Sequence, residues 1–385
     1  MSKYDLLNAL LHFLFFFMGA GIGSFLNVVI YRLPRGMSVN QPRRSFCPSC
    51  KNQIPMWLNI PIVSWILLRG KCAKCGCSIS PRYLGVELLT GLLFYAVFRE
   101  VGGDWAAFKV WGPAMLCLWL FTALLVAGSF IDIEHFILPH EITIGGTFAG
   151  LLCATWVPSL VGEELHLRGF MISLASAALG MGGLWLVVEL GKLAFGRRRQ
   201  RFDSPTAWNV TQPDDNEPPV VTLGGEQTSW ADIFFRASDR MIVTCPELKT
   251  NEGSYKNVTA ELWMEKLKIR HADGSLEEFK MENVTLLEGT TTNIVIPREA
   301  MGFGDVLLLM MIGSFTGWKC VLFTVLAASV LGTVIAGLSR LLGRSEWGQK
   351  IPFGPYLAAG AMIWVFQGPE LLEWYLGLMQ PQLAP

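Results

Sequence analysis

Charge is scarce in this chain. Asp, Glu, Lys and Arg make up 16% of its 385 residues, where soluble domains carry about 25%. That deficit argues against an ordinary soluble enzyme, a disordered chain and a strongly basic nucleic-acid binder. Acids are missing altogether between Arg32 and Arg82, a stretch with nine Lys and Arg. No Gly-x-Gly-x-x-Gly turn announces a Rossmann-type nucleotide cradle. The first apolar run, Leu6–Ile30, is too long for a signal peptide and lacks a small-residue cleavage site, so it reads as a span.

Apolar residues are abundant instead: 52% of the chain is hydrophobic and mean hydropathy is +0.41. The 31 basic and 31 acidic residues cancel, but they are unevenly placed. From Gly196 to Ala300, 30 of 105 residues are charged, about 29%, against 32 of the other 280, about 11%. This pattern predicts a polytopic all-α membrane protein interrupted by one soluble insert. A bilayer core takes roughly 20 apolar helical residues. Eight runs approach that length: Leu6–Ile30, Leu84–Phe98, Trp111–Ile131, Ile142–Val161, Phe170–Phe195, Asp305–Trp318, Cys320–Leu338 and Tyr356–Phe366 continuing to Met379. The domains expected are a first helix (1–31), a four-cysteine loop (32–83), helices two to five (84–195), the insert (196–300) and helices six to eight (301–385).

Lys and Arg in the loops set orientation. The basic loop from Arg32 to Arg82 is expected inside. Alternation then puts the insert inside, opening with Arg197, Arg198, Arg199 and Arg201, and likewise the loop with Arg340, Arg344 and Lys350. Glu163 and Glu164 fall outside, as do both termini. The insert begins with a Pro- and Asp-rich tether, Pro205 to Pro219. Leu267 and Ile269 alternate with charged residues, Asp273-Gly274 offers a turn, and Phe279 and Met281 resume the alternation, which is a hairpin pattern. A small β-rich or α+β domain is expected, either regulatory or a tolerated insertion.

In the basic loop, Cys47-Pro-Ser-Cys50 and Cys72-Ala-Lys-Cys75 form two Cys-x-x-Cys pairs 21 residues apart, a spacing suited to a four-thiolate zinc site. Four thiolates leave no open coordination position, so the zinc is expected to be structural. Cys77 lies beside the motif as a substitute for Cys75. Cys117, Cys153 and Cys320 read as apolar packing residues, and Cys245 has no assigned role.

Chemistry must come from elsewhere, and ionisable groups in membrane segments are functional candidates by default. Asp132 ends the third span and Asp305 begins the sixth, so both belong at the cytoplasmic boundary. Two adjacent carboxylates share a proton: the ionised one can take a proton from water while the protonated one polarises a scissile carbonyl. The bland reading of Asp305 is a helix N-terminal residue, favourable in any case. At the C-terminal end of a helix, Asp132 is less easily explained that way. Glu87 and Glu189 lie near basic boundaries and read as paired or snorkelling.

At these residues the sequence resembles the prepilin peptidase family, the type IV leader peptidase and N-methyltransferase of pilus and type II secretion systems. The resemblance rests on Gly23-Ser-Phe-Leu-Asn-Val-Val-Ile-Tyr-Arg-Leu-Pro34, both cysteine pairs, Asn59-Ile-Pro-Ile-Val-Ser-Trp65, Arg69-Gly-Lys-Cys72 and Ile79-Ser-Pro-Arg-Tyr83 followed by Glu87. It continues at Asp132, Leu138-Pro139, Glu299-Ala-Met-Gly-Phe-Gly-Asp305 and Ile351-Pro-Phe-Gly-Pro355. It implies that Asp132 and Asp305 are the catalytic pair of a Gly-x-Gly-Asp intramembrane aspartic peptidase of the bacterial inner membrane. Such an enzyme cuts the basic leader of a prepilin or pseudopilin after Gly on the cytoplasmic side. Methylation of the new N-terminus with S-adenosylmethionine is implied by the resemblance alone.

The loop's charge is assigned to topology and anionic membrane lipid; no nucleic-acid partner is expected. His140 and Leu307 replace an Asp and a Lys common in the family, and the insert is unusually long for it. Because the insert ends just before Glu299, gating is one role for it, testable by deleting Pro205–Thr292. The competing readings are a peptidase that does not methylate and, in another class, a transporter or scaffold with a zinc-knuckle docking loop.

Overall fold

The computed structural model describes residues 3–42, 45–47, 49–195, 198–212, 219–234, 239–296, 302–342 and 352–379. Arg43, Arg44, Arg197, Glu299 to Met301, Arg344, Lys350 and Ile351 lie outside these. The chain divides into two compact units, residues 1–185 with 302–385, and Leu186–Met301.

The first unit is helical: α1 (Lys3–Arg32), α2 (Val63–Leu67), α3 (Pro81–Glu100), α4 (Trp105–His135), α5 (His140–Trp156) and the first two-thirds of α6 (His166–Phe195). Polar residues mark several starts. The Ser80 side chain caps α3 ahead of Pro81, and Asp104 accepts from the N–H of Ala107 at 2.7 Å to cap α4. After the second unit, whose short helix is α7 (Trp230–Ile233), come α8 (Phe303–Leu341) and α9 (Gly354–Met379). Among the described residues, α1, α4, α6 and α8 are long and apolar enough to cross a membrane. Seven of the eight runs expected from the sequence lie within α-helices, while Ile142–Val161 overshoots α5, which ends at Trp156 ahead of a 3-10 turn at Pro158–Val161. Two of them share α8, whose backbone breaks at Gly317 (φ 82°) near the expected boundary between them.

The helices meet through small residues, which bring backbones close where lipid offers no hydrophobic drive. A methyl group on Gly180 would lie 2.6 Å from the Leu309 carbonyl, and one on Gly313 2.5 Å from that of Ser176, so α6 and α8 touch backbone to backbone. Where α1, α3 and α4 meet, the Phe94 and Trp119 rings stack at 5.2 Å and the Trp119 indole donates to the Phe94 carbonyl at 3.0 Å. Cys117, Cys153 and Cys320 are buried as expected. Phe13, Leu152 and Leu326 remain exposed on α1, α5 and α8, a distribution suited to lipid.

The second unit is an antiparallel sheet: β1 (Arg198–Thr211), β2 (Val220–Leu223), β3 (Glu226–Ser229), β4 (Arg240–Thr250), β5 (Gly253–Trp263), β6 (Lys266–Arg270), β7 (Leu276–Lys280) and β8 (Leu287–Ile296), with α7 (Trp230–Ile233) after β3. The strand order is β3-β2-β1-β8-β4-β5-β6-β7. The predicted hairpin is β6–β7, with Leu267 opposite Phe279 and Gly274 at φ 88°. The predicted tether needs correction, because Pro205 to Thr211 belong to β1. The register shifts between Arg201 and Thr206, and that irregularity accommodates a proline that cannot donate to the ladder. Alternation buries Met241, Val243 and Cys245 on β4, Val258, Ala260 and Leu262 on β5 and Leu267 and Ile269 on β6, joined by Trp208, Trp230 and Phe234 in one core.

Candidate active site and four-cysteine loop

Asp132 lies one turn before the end of α4 and is 6% exposed; Asp305 lies in the first turn of α8 and is 7% exposed. Phe136 closes α4 in the left-handed conformation (φ 52°), its N–H bonded to the Asp132 carbonyl at 2.9 Å. The Asp132 side chain instead reaches α9, where its Oδ2 accepts from the N–H of Gly354 at 3.0 Å. Gly354 opens α9, so that N–H has no partner inside its own helix and the dipole favours an anion there. This offsets the unfavourable C-terminal end of α4. A methyl group on Gly354 would lie 2.7 Å from that oxygen, so the position has no room for a side chain.

The two aspartate helices share a contact through Leu138, in the turn between α4 and α5. Its side chain lies against Gly128, one turn before Asp132, and against Gly304, the neighbour of Asp305, where an added methyl would come within 2.9 Å of Leu138 Cβ. Gly304 is therefore needed for close approach at the start of α8. Glu134, two residues after Asp132, pairs with Arg82 at the start of α3 and anchors the end of α4.

The motif around Gly23 docks on the same end of α3. An added methyl on Gly23 would lie 2.8 Å from Glu87 Cα, and Asn27 Nδ2 donates to the Tyr83 carbonyl at 3.0 Å. Glu87, expected to pair or snorkel, is buried, and its Oε2 accepts from the N–H of Ile62 at 2.6 Å. Ile62 is strained, with φ 66° and ψ −54°, and the N–H of Val63 bonds to the Pro61 carbonyl at 2.6 Å across it. That is a classic γ-turn, rare for a β-branched residue. Sequence reasoning named these motifs without seeing that Glu87 joins them. Nor did it assign a role to Gly354, for which the Phe-Gly-Pro step before an apolar run was the available signal.

The cysteine pairs form two knuckles of the same design. The N–H of Lys51 bonds to the Cys47 carbonyl and that of Gly76 to the Cys72 carbonyl; both residues have positive φ (57° and 71°). The N–H of Cys47 then bonds to the Asn52 carbonyl, that of Cys72 to the Cys77 carbonyl, and the bridges Phe46–Gln53 and Lys71–Ser78 close each turn. The sulfurs of Cys47, Cys50, Cys72 and Cys75 all lie within 4.8 Å of one another. Cys47 and Cys75 are 3.8 Å apart, and a Zn–S bond of about 2.3 Å gives a tetrahedral edge of about 3.8 Å.

The N–H groups around Cys47, that of Cys50 foremost, bring its thiol down to about 6. Cys50 accepts from the N–H of Asn52, yet loss of water and the three other sulfurs push it up to about 11. One thiol thus ionises at another's expense, a conflict that a divalent cation removes. The donor set and its spacing fit zinc.

The Bacterial Peptidase A24 N-terminal domain model matches residues 17–101, and the Type IV leader peptidase family model matches residues 119–197 and 282–337. The chain belongs to the type IV leader peptidase family. The break in the second match, 198–281, spans β1 to β7, so most of the β unit is additional to the family model. A protein of Myxococcus xanthus named prepilin leader peptidase/N-methyltransferase is 38% identical over 46% of this chain and 54% of its own length. Proteins of the same name from Stutzerimonas stutzeri and Pseudomonas aeruginosa are 28% and 26% identical, each over 93% of this chain and 91% of their own length. No solved structure matches the chain.

Proposed function

We infer that this type IV leader peptidase is a membrane-embedded aspartic endopeptidase that removes the leader of prepilins or pseudopilins after Gly and methylates the new N-terminus. Asp132 and Asp305 are the proposed catalytic pair. One takes a proton from the attacking water while the other, protonated, polarises the scissile carbonyl; any pKa then belongs to the pair. The observation that carries this reading is that two buried helix-end acids, on α4 and α8, are linked through Leu138. The Gly354 N–H aims Asp132 and withdraws charge from it.

Eight spans, counting α8 as two, put both acids and the cysteine loop at the cytoplasmic face of the inner membrane. Nine basic residues between Arg32 and Arg82, with no acid, support that orientation.

Cys47, Cys50, Cys72 and Cys75 would hold a structural zinc, which joins the two knuckles and takes no substrate. S-adenosylmethionine supplies the methyl group when bound. The strand pairs of the β unit are antiparallel, so among the described residues they form no parallel-sheet crevice of the dinucleotide type. Methyl transfer is accordingly assigned to no residue.

Incubating membranes with a full-length prepilin and weighing the product tests the reading. Wild type should release the leader, and Asp132→Ala and Asp305→Ala should not; undiminished cleavage by either variant refutes the assignment. A product without the added methyl mass selects a peptidase that does not methylate.

A further inference from the structure

The four-cysteine loop contains a fifth thiol that the metal does not need. Cys77 is half-buried, and its Sγ lies 3.4 Å from that of Cys47, closer than the 3.8 Å between Cys47 and Cys75. The equivalence of the knuckles shows what is unusual. Cys77 follows the positive-φ residue of its knuckle, Gly76, as Asn52 follows Lys51. Both side chains reach across to the other knuckle: Asn52 Oδ1 accepts from Lys74 Nζ at 2.9 Å, and Cys77 meets Cys47. At one of two equivalent positions the link is an amide; at the other it is a thiol resting on a proposed zinc ligand.

We propose that Cys77 and Cys47 form an oxidative modification site: a peroxide converts the pair to a disulfide and thereby releases the zinc. The Cys77 thiolate attacks one peroxide oxygen, the O–O bond breaks, and hydroxide leaves and is protonated to water, giving the Cys77 sulfenic acid. The Cys47 sulfur then attacks the Cys77 sulfur, the S–O bond breaks, and the second hydroxide leaves as water. Overall two thiols are oxidised, one peroxide is reduced to two waters, and Zn²⁺ is left with three thiolates. Cys77 takes the first step because it is not counted among the ligands and is half-exposed, whereas Cys47 is buried. In a reducing compartment the bond is transient, and a dithiol reverses it. The inference rests on the metal reading above and is independent of peptidase activity.

The test uses the full-length protein in detergent or nanodiscs, exposed to hydrogen peroxide. A chelating dye reads zinc release, and peptide mass mapping after thiol alkylation reads the disulfide. Wild type should lose zinc as a Cys47–Cys77 linked peptide appears, and dithiothreitol with added zinc should restore it. Cys77→Ser should bind zinc normally and lose the fast release. Cys77→Asn, which copies the Asn52 knuckle, should do the same and guards against misfolding of the serine variant. Release from both variants at the wild-type rate, or a disulfide that omits Cys77, overturns the proposal. So does zinc missing from both Cys77 variants but retained by Cys75→Ser, which would make Cys77 the ligand. Should wild type hold no zinc, the metal reading fails by itself, and the linked peptide still decides whether Cys77 and Cys47 are oxidation partners.

Discussion

Gly354→Ala isolates the backbone contact that orients Asp132. The new methyl would lie 2.7 Å from Asp132 Oδ2 and 3.3 Å from its Cγ, so the carboxylate or the start of α9 must move by several tenths of an ångström. The hydrogen bond from the Gly354 N–H, 3.0 Å in the wild type, is then stretched or lost. A hydrogen bond to a charged group contributes about 1.5–3 kcal/mol. If the transition state needs that bond as much as the structure suggests, kcat/KM falls about ten- to hundredfold, since each ~1.4 kcal/mol is tenfold. The assay is cleavage of full-length prepilin by membranes containing matched amounts of enzyme, followed over time by product mass. Gly145→Ala on α5, where an added methyl meets nothing within 4 Å, is the matched control and should remain near wild type. If Gly354→Ala cleaves within twofold of wild type while correctly folded, the N–H does not position Asp132.

Glu87→Ala removes the acceptor for the strained Ile62 and should loosen the loop by about 1.5–3 kcal/mol; faster tryptic cleavage at Arg69 and Lys71 would report it, and unchanged digestion would contradict it. Leu267→Ala, at a fully buried position, should destabilise the β unit by about 2–5 kcal/mol in denaturant melts, with little effect on prepilin cleavage if the insert is passive. Burial pushes the Cys245 thiol from the ordinary 9.0 up to about 12. Its contribution to β-unit stability is therefore complete below pH 9 and is lost as pH rises towards 12, because the unfolded chain gives up a proton that the folded one keeps. Within that window wild type should lose up to about 1.4 kcal/mol per pH unit more than Cys245→Ala; equal slopes in denaturant melts of the two proteins would exclude this.

Much of the architecture was legible in order along the chain. Apolar runs near bilayer length marked every long helix, because burial in lipid acts on local composition. The β6–β7 hairpin followed from period-two alternation around Asp273-Gly274, again a local signal. The spacing of the cysteine pairs alone pointed to four sulfurs that could hold a metal, since each Cys-x-x-Cys closes its own turn. The tether reading failed at Pro205 because a strand irregularity depends on the partner strand β8, which lies some ninety residues away.

Read from its residues alone, this is a membrane protein with a charge-rich insert, its cysteine loop suits four-thiolate coordination, and Asp132 and Asp305 are rare acids at the ends of apolar runs. These follow from composition and short-range spacing. What surrounds those residues is set by the packing of distant segments. The Gly354 N–H meets Asp132 across 222 positions, Glu87 holds Ile62, Leu138 packs between Gly128 and Gly304, and Cys77 rests on Cys47. Each is a contact at a few ångströms between distant segments, and its energy depends on which backbones pack together, which residue type and local periodicity do not encode.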